Sequence, residues 1–271
     1  MGFHVCRADA LEYLQADGLS GAIHCFTTRY GGVSQGVLES LNLGIHRGDT
    51  PENVLENYRI LGNAVGFSPE NLVFTHQTHT ATVRLVGRDD RGQGLFSPVP
   101  GDYDGLITNA PGVALAVFSA DCTPVLLYDP VGQAIGAVHA GWRGTAAGIV
   151  AEAVAQMQAA FGTKPENLRA AIGPCIGMCC FETGAEVPEA MRTSLGAAAE
   201  AAIQPKGDKY YVNLKELNRL WLQRCGVTQV EVSPDCTRCQ PQRFWSHRVT
   251  GNARGSQAAI IMRSEEGGGT Q

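Results

Sequence analysis

The chain has 271 residues, 44% of them hydrophobic and 17% charged, with a formal net charge of −5. That is enough for a large buried core, and the missing basic excess argues against a protein built to displace counterions from nucleic acid. No apolar run reaches the roughly 18 residues of a spanning helix, and "MGFHVCRADALEYL" lacks the layout of a signal peptide, so a cytoplasmic chain with its nine cysteines reduced is expected.

In chain order, "GAIHCFTTRYGG" reads as a strand running into a loop. "DTPENVLENYRILGNAVG" reads as a helix: Thr50 or Asp49 caps it, Pro51 suits its first turn, and Val54, Leu55, Tyr58 and Leu61 share a face. "NLVFTHQTHTATVRLV" is strand, polar interruption, strand. "VALAVFSADCTPVLLYDP" and "AIGAVHAGW" are rich in β-branched and small apolar residues and read as strands. "GTAAGIVAEAVAQMQAAFG" is the clearest helix, with Ile149, Val150, Ala153, Val154, Met157 and Phe161 in one stripe. A strand in "NLRAAIGPCIG" and a helix in "VNLKELNRLWLQRCG" that ends at Gly226 follow. "VTQVEVS" and "SQAAIIMRS" complete the strands. Clustered strands with few helices indicate an α+β fold rather than regular βαβ alternation. The reading is one domain over residues 1–264 and a disordered tail at 265–271. Neither GxGxxG nor GxxxxGK[ST] occurs, so the common phosphate-cradling loops are absent.

The chemistry concentrates in "SADCTPVLLYDPVGQAIGAVHAGWRG". "YDPVGQ" is turn chemistry. A turn centred between Pro130 and Val131 places Tyr128 opposite Gln133 and Cys122 opposite His139, with β-carbons about 4.5–5.5 Å apart. That spacing suits two ligands of one metal ion, a thiol with its base, or two ordinary core residues. Pro124 cannot donate to the ladder, and a bulge there would put the two side chains on opposite faces.

In "THQTH", His76 and His79 do not both point one way in an extended segment, so one ligand is expected from the pair. Three N/S ligands with an open position would make a catalytic zinc, which lowers the pKa of bound water to about 7. Asp121 should point to the face opposite Cys122 if the strand is regular, and then support the ligands or the fold rather than act as a ligand. Asp121, Asp104 and Gln77 are the groups considered for proton transfer.

Cys175, Cys179 and Cys180 in "GPCIGMCCFE", with Cys236 and Cys239 in "SPDCTRCQ", could build a separate structural zinc site or be buried and loop thiols. No histidine is followed two residues later by glutamate, so the nucleobase-deaminase signature is missing. For an anion, Arg29, Arg59 and Arg143 are best placed, Arg143 because it precedes the long helix.

These motifs, together with "FTTRYGGVSQG", "SLNLG", "GDTPENVLENYR", "DYDGLIT", "VHAGWRGT" and "DCTRCQPQRFWSHR", resemble the YfiH-like, laccase-domain family almost end to end. "TGNARGSQAA" is a loose version of that family's TGR-like segment, and "GRDDRGQGLFSPVPGDYD" is slightly longer than its usual connection. The resemblance implies packed mixed sheets flanked by helices and a metal site on His79, Cys122 and His139. It implies a zinc-dependent purine nucleoside phosphorylase that acts on adenosine, inosine, guanosine and methylthioadenosine with phosphate, and also deaminates adenosine. Catalytic roles then fall to Cys122, His139 and Arg143, and substrate contacts to Arg29, Arg59 and Arg143. The expected partners are small molecules, with the chain a monomer or weak homo-oligomer. The alternative is a Cys–His hydrolase or amidase acting on a peptidoglycan precursor, with Cys122 the nucleophile and His139 its base. A non-catalytic, metal-stabilised binding protein is a further reading. A copper polyphenol oxidase is less favoured, because seven dispersed histidines cannot supply both a blue-copper centre and a trinuclear cluster. Copper remains possible in the zinc site.

Overall fold

A computed structural model describes residues 2–265. The expected tail lies outside the described residues except for Glu265. The chain opens with β1 (Phe3–Ala8), β2 (Leu11–Ala16) and β3 (Ile23–Thr27), followed by α1 (Pro51–Val65). Short strands β4 (Leu72–Phe74), β5 (Val83–Leu85) and β6 (Gly105–Thr108) lead to β7 (Ala114–Ser119), β8 (Thr123–Asp129) and β9 (Ala134–Ala140). Helices α2 (Trp142–Ala146) and α3 (Ile149–Phe161) precede β10 (Arg169–Ile172) and β11 (Glu182–Thr183). The remainder is α4 (Glu186–Leu195), β12 (Ile203–Lys206), β13 (Lys209–Val212), α5 (Leu214–Arg224), β14 (Gln229–Val232), α6 (His247–Thr250) and β15 (Gln257–Met262).

Two six-stranded mixed sheets form the α+β core, ordered β1-β2-β3-β15-β7-β4 and β14-β10-β8-β9-β6-β5. They pack face to face. Leu115 and Val117 of β7 and Ala259 and Ile261 of β15 share one apolar cluster with Leu126 of β8 and Ile135 and Ala137 of β9. The opposite faces are covered by helices. Ala114 and Ala116 pack with Val54, Tyr58 and Leu61 of α1. Val125, Leu127 and Val138 pack with Ile149, Val150, Ala153, Val154 and Met157 of α3. Every residue of β8 and β9 is buried, which is why those strands read as continuous apolar runs rather than an alternation.

α1 begins as its sequence indicates: Thr50 accepts the Asn53 N–H and Pro51 opens the first turn. Three features differ from the sequence reading. The long helix is broken, because Gly148 takes a left-handed φ of 74° and separates α2 from α3. A side chain at Gly148 would also press on the Trp221 ring. Arg143 therefore lies in the short α2, not at the start of the long helix. The segment "VALAVFSADCTPVLLYDP" is two strands in different sheets, because the chain crosses over at Ala120–Cys122. Finally, the β1–β2 hairpin, α4 and the small β11-β13-β12 sheet had no sequence assignment. β1 mixes exposed and half-buried residues and so carries no clean period.

Candidate metal centre

The β8–β9 hairpin closes one residue later than its turn sequence suggests. Asp129 pairs with Ala134, and Asp129 Oδ1 accepts the Val131 and Gly132 N–H groups at 3.0 and 2.9 Å. His139 therefore faces Pro124, not Cys122. The shift is two residues in pairing, which preserves the face. Cys122 sits just before β8, diagonal to His139, and the two still meet. Their ligand atoms lie within 4.8 Å of each other and of a His79 ring nitrogen.

His79 arrives from the loop after β4. Its backbone is left-handed (φ 64°), as is that of Asp121 (φ 92°) beside Cys122. Both strained residues sit at the junction of the two sheets. Asp104, fully buried just before β6, organises this loop. Its carboxylate accepts the N–H groups of Thr78, His79 and Thr80 at 3.2, 3.1 and 2.8 Å and the Thr80 hydroxyl at 2.9 Å. It also accepts His139 Nδ1–H at 2.7 Å, which leaves Nε2 of that ring for the cluster. The His79 and His139 rings stand edge to face, 5.0 Å between centroids. Gly141 leaves room for them: a β-carbon there would lie 2.4 Å from His79 Nδ1.

Electrostatics follow from these contacts. Burial opposes a charged His139, but the adjacent Cys122 sulfur and the Asp104 carboxylate outweigh it and push the imidazole up to about 9. Burial and the nearby His139 push His79 down. Burial also works against the Asp104 charge, yet hydrogen bonds from His139 and Thr80 hold this carboxyl below its ordinary value. Two imidazoles and a thiol, one imidazole fixed by a carboxylate behind it, fit a zinc ion.

The group opens into a cleft of about 1090 Å³. His76 lines it but pairs with Asp102 at 2.7 Å, so one histidine of "THQTH" joins the cluster. Asp121 lines the cleft but is not part of the cluster, and it lies in the crossover between β7 and β8 rather than in a regular strand. It accepts Thr237 Oγ1–H at 2.6 Å and the Arg248 N–H at 2.7 Å. Gln77 is likewise spent: its amide pairs with the Phe118 N–H and C=O, both at 2.7 Å, and extends the end of β7. Asp104, Asp121 and Gln77 therefore all hold backbone in place. The other imidazoles facing the cleft, besides His76, are His46 and His247.

The arginines are redistributed. Arg29 does not line the cleft. Its guanidinium donates to Glu39 O and Pro241 O and stacks 3.8 Å from the Trp245 ring. Arg59 is exposed on α1, 3.5 Å from Glu56, and is also outside the cleft. Arg143 is exposed, 4.2 Å over the Trp142 ring, and weighs on the charge of His79. The cleft is lined instead by Arg47, Arg248 and Arg254. Arg254 is the least solvated of these. Burial, then repulsion from Arg47, push it down to about 10, and its buried Nε has no hydrogen-bond partner among the described residues. An arginine in a polar loop carries no sequence signal that separates it from a solvated one.

Among the described residues, the groups that could hold a metal are this one and a cluster of four cysteines. An imidazole-rich trinuclear centre is not among them.

Residues 23–264 match the family described as multi-copper polyphenol oxidoreductase laccase. The chain is 38% identical over 257 residues to "Purine nucleoside phosphorylase YlmD" of Geobacillus stearothermophilus, with 93% of each chain covered. It is 40% identical over 229 residues to "Purine nucleoside phosphorylase YfiH" of Shigella flexneri, covering 84% of this chain and 88% of that one. The crystal structure of YlmD from Geobacillus stearothermophilus superposes with a TM-score of 0.91 at 36% identity, covering 96% of this chain and 99% of that one.

Proposed function

This chain belongs to the laccase-domain family that includes the YlmD and YfiH proteins, and from that membership we propose that it is a zinc-dependent purine nucleoside phosphorylase. Its proposed substrates are adenosine, inosine, guanosine and methylthioadenosine, and adenosine deamination is a second activity of the same cleft. The observation that carries the reading is the shared opening: His79, Cys122 and His139 face the same cleft as Arg47 and Arg254.

In phosphorolysis a phosphate oxygen bonds to the anomeric carbon as the carbon–nitrogen bond breaks, and the purine leaves with the bonding electrons and gains a proton. His79, Cys122 and His139 would hold the zinc, which supplies Lewis-acid polarisation when bound. Arg254 and Arg47 hold the phosphate. A buried guanidinium with a free Nε–H gains most from an anion, because little water competes for it. Asp104 fixes the His139 tautomer and the His79 loop at once, so the ligands need no rearrangement. In deamination, water adds at C6 of adenine and ammonia leaves. Arg143 on α2, next in sequence to the cleft-lining Trp142, is a further proposed contact.

The test is adenosine with phosphate, given to zinc-loaded wild type and to Cys122→Ala, with bases and nucleosides separated chromatographically. Wild type should release adenine only with phosphate present, and inosine without it; Cys122→Ala should do neither. Zinc-loaded wild type that makes neither product ends the reading.

One observation favours a second reading. Asp104, His139 and Cys122 are arranged in the order carboxylate, imidazole, thiol, as in a cysteine hydrolase or an amidase of peptidoglycan precursors. A metal-free active enzyme, inactivated by one iodoacetamide at Cys122, would establish it.

A further inference from the structure

The β10 and β14 strands are parallel neighbours, so their following loops leave the same edge of the sheet together. The first loop carries Cys179 and Cys180 in the turn before β11, and the second carries Cys236 and Cys239. A backbone bridge joins Cys175 to Cys236. The four sulfurs of Cys179, Cys180, Cys236 and Cys239 converge, each within 4.8 Å of the others. Cys239 Sγ lies 3.6 Å from Cys179 Sγ and 3.4 Å from Cys180 Sγ. Cys175 stays out of the group: it is buried, and its S–H donates to the Ile176 carbonyl.

We propose that Cys179, Cys180, Cys236 and Cys239 form a structural zinc site, separate from the His79/Cys122/His139 centre. Metal–sulfur bonds of about 2.3 Å in a tetrahedron place the sulfurs about 3.8 Å apart. The observed separations need only small adjustments to reach that spacing. A multi-iron cluster, with its bridging sulfides, would hold the four thiolates farther apart. The surroundings also suit thiolates. The Gly177 N–H points at Cys236 Sγ, 3.1 Å away, and the Arg238 guanidinium donates to Cys180 Sγ at 3.4 Å. All four ligand positions come from the protein, so this site is closed and holds the fold rather than performing chemistry.

Its place gives it a consequence. The first loop also carries Ile176 and Phe181, which line the cleft. The Ile176 N–H donates to Asp121 O, and Thr237 of the second loop donates to the Asp121 carboxylate. Asp121 precedes Cys122. The ion would therefore tie together the two loops that position the cleft wall and the residue beside the other metal ligand. Lys215 already pins the second loop from behind, through Ser233 O and Asp235 O at 2.7 and 2.6 Å.

Metal content by mass spectrometry tests this without reference to turnover. Full-length wild type purified without chelator should hold two zinc ions per chain. Cys122→Ala should retain one, and Cys179→Ser/Cys239→Ser should also retain one while melting at a lower temperature. Both cysteines of the double variant are exposed, and circular dichroism confirms that it folds. Cobalt(II) loaded into Cys122→Ala should show intense thiolate charge-transfer absorption that Cys122→Ala/Cys179→Ser/Cys239→Ser lacks. Cys122→Ala protein with no stoichiometric zinc overturns the proposal. So does stoichiometric iron, or a disulfide among the four cysteines in freshly reduced protein.

Discussion

Asp104 Oδ1 lies 2.7 Å from His139 Nδ1, and the same carboxylate closes the turn that carries His79. One buried side chain thus positions two of the three proposed metal-holding residues, from two parts of the chain. Asp104→Asn keeps the shape but turns an NH₂ toward groups that are themselves donors. The folded variant should bind zinc at the His/Cys/His site about 10–100-fold more weakly. Competition against a chromophoric chelator measures this; unchanged affinity would show that Asp104 does not aim the ligands.

Gly141 is constrained by space rather than by its dihedrals. Its φ is −64°, open to any residue, but a β-carbon would meet His79 Nδ1 at 2.4 Å. Gly141→Ala should displace the exposed His79 ring and lose both zinc at that site and nucleoside turnover. Its stability should fall by no more than about 1–3 kcal/mol. Zinc content and thermal unfolding, read together, separate the two effects.

Arg254 and Arg59 should behave oppositely. Arg254→Gln removes a charged donor from the cleft. Given ~1.5–3 kcal/mol for a hydrogen bond to a charged group, KM for phosphate should rise roughly tenfold or more. Arg59→Ala, on the far exposed face of α1, should leave it unchanged. Arg29→Ala should lower the melting temperature, through the lost contacts to Glu39, Pro241 and Trp245, without raising that KM. Equal phosphate KM values for Arg254→Gln and wild type would remove Arg254 from the phosphate site.

His24 supplies a pH dependence remote from either candidate metal site. Its Nε2 accepts the Ala16 N–H at 3.0 Å and its Nδ1–H donates to Ala22 O at 2.9 Å, an arrangement that only the neutral ring can make. Burial lowers its pKa below the ordinary 6.5. The unfolded chain then binds more protons than the folded one as pH falls, so the stabilisation is whole above 6.5 and is lost through the lower folded pKa. Wild type should lose melting temperature between about pH 7 and pH 5 by more than His24→Gln does. Parallel curves for the two proteins would assign the loss to other groups.

The Cys122–His139 pairing shows how far local pattern reaches. Two apolar runs around "YDPVGQ" sufficed for the hairpin, and side-chain alternation sufficed to put both residues on one face. The register was off by two because Asp129 folds its carboxylate back over Val131 and Gly132, a choice that turn composition alone leaves open. The long apolar stripe of α3 was equally legible. The break at Gly148 was not, since a glycine in a helical pattern can be tolerated as well as used.

By itself, then, the sequence determined the α+β class, the main strands and helices, and the motifs that carry the family resemblance. Those follow from periodicity and from backbone rules that act over a few residues. Only the tertiary structure decided that Asp104 holds both His79 and His139, that Arg254 rather than Arg29 or Arg59 faces the cleft, and that four cysteines from two loops converge. Each depends on burial and on contacts between segments distant in the chain, where the same residue types would otherwise be solvated. The distances that make them chemistry exist only after the two sheets have packed.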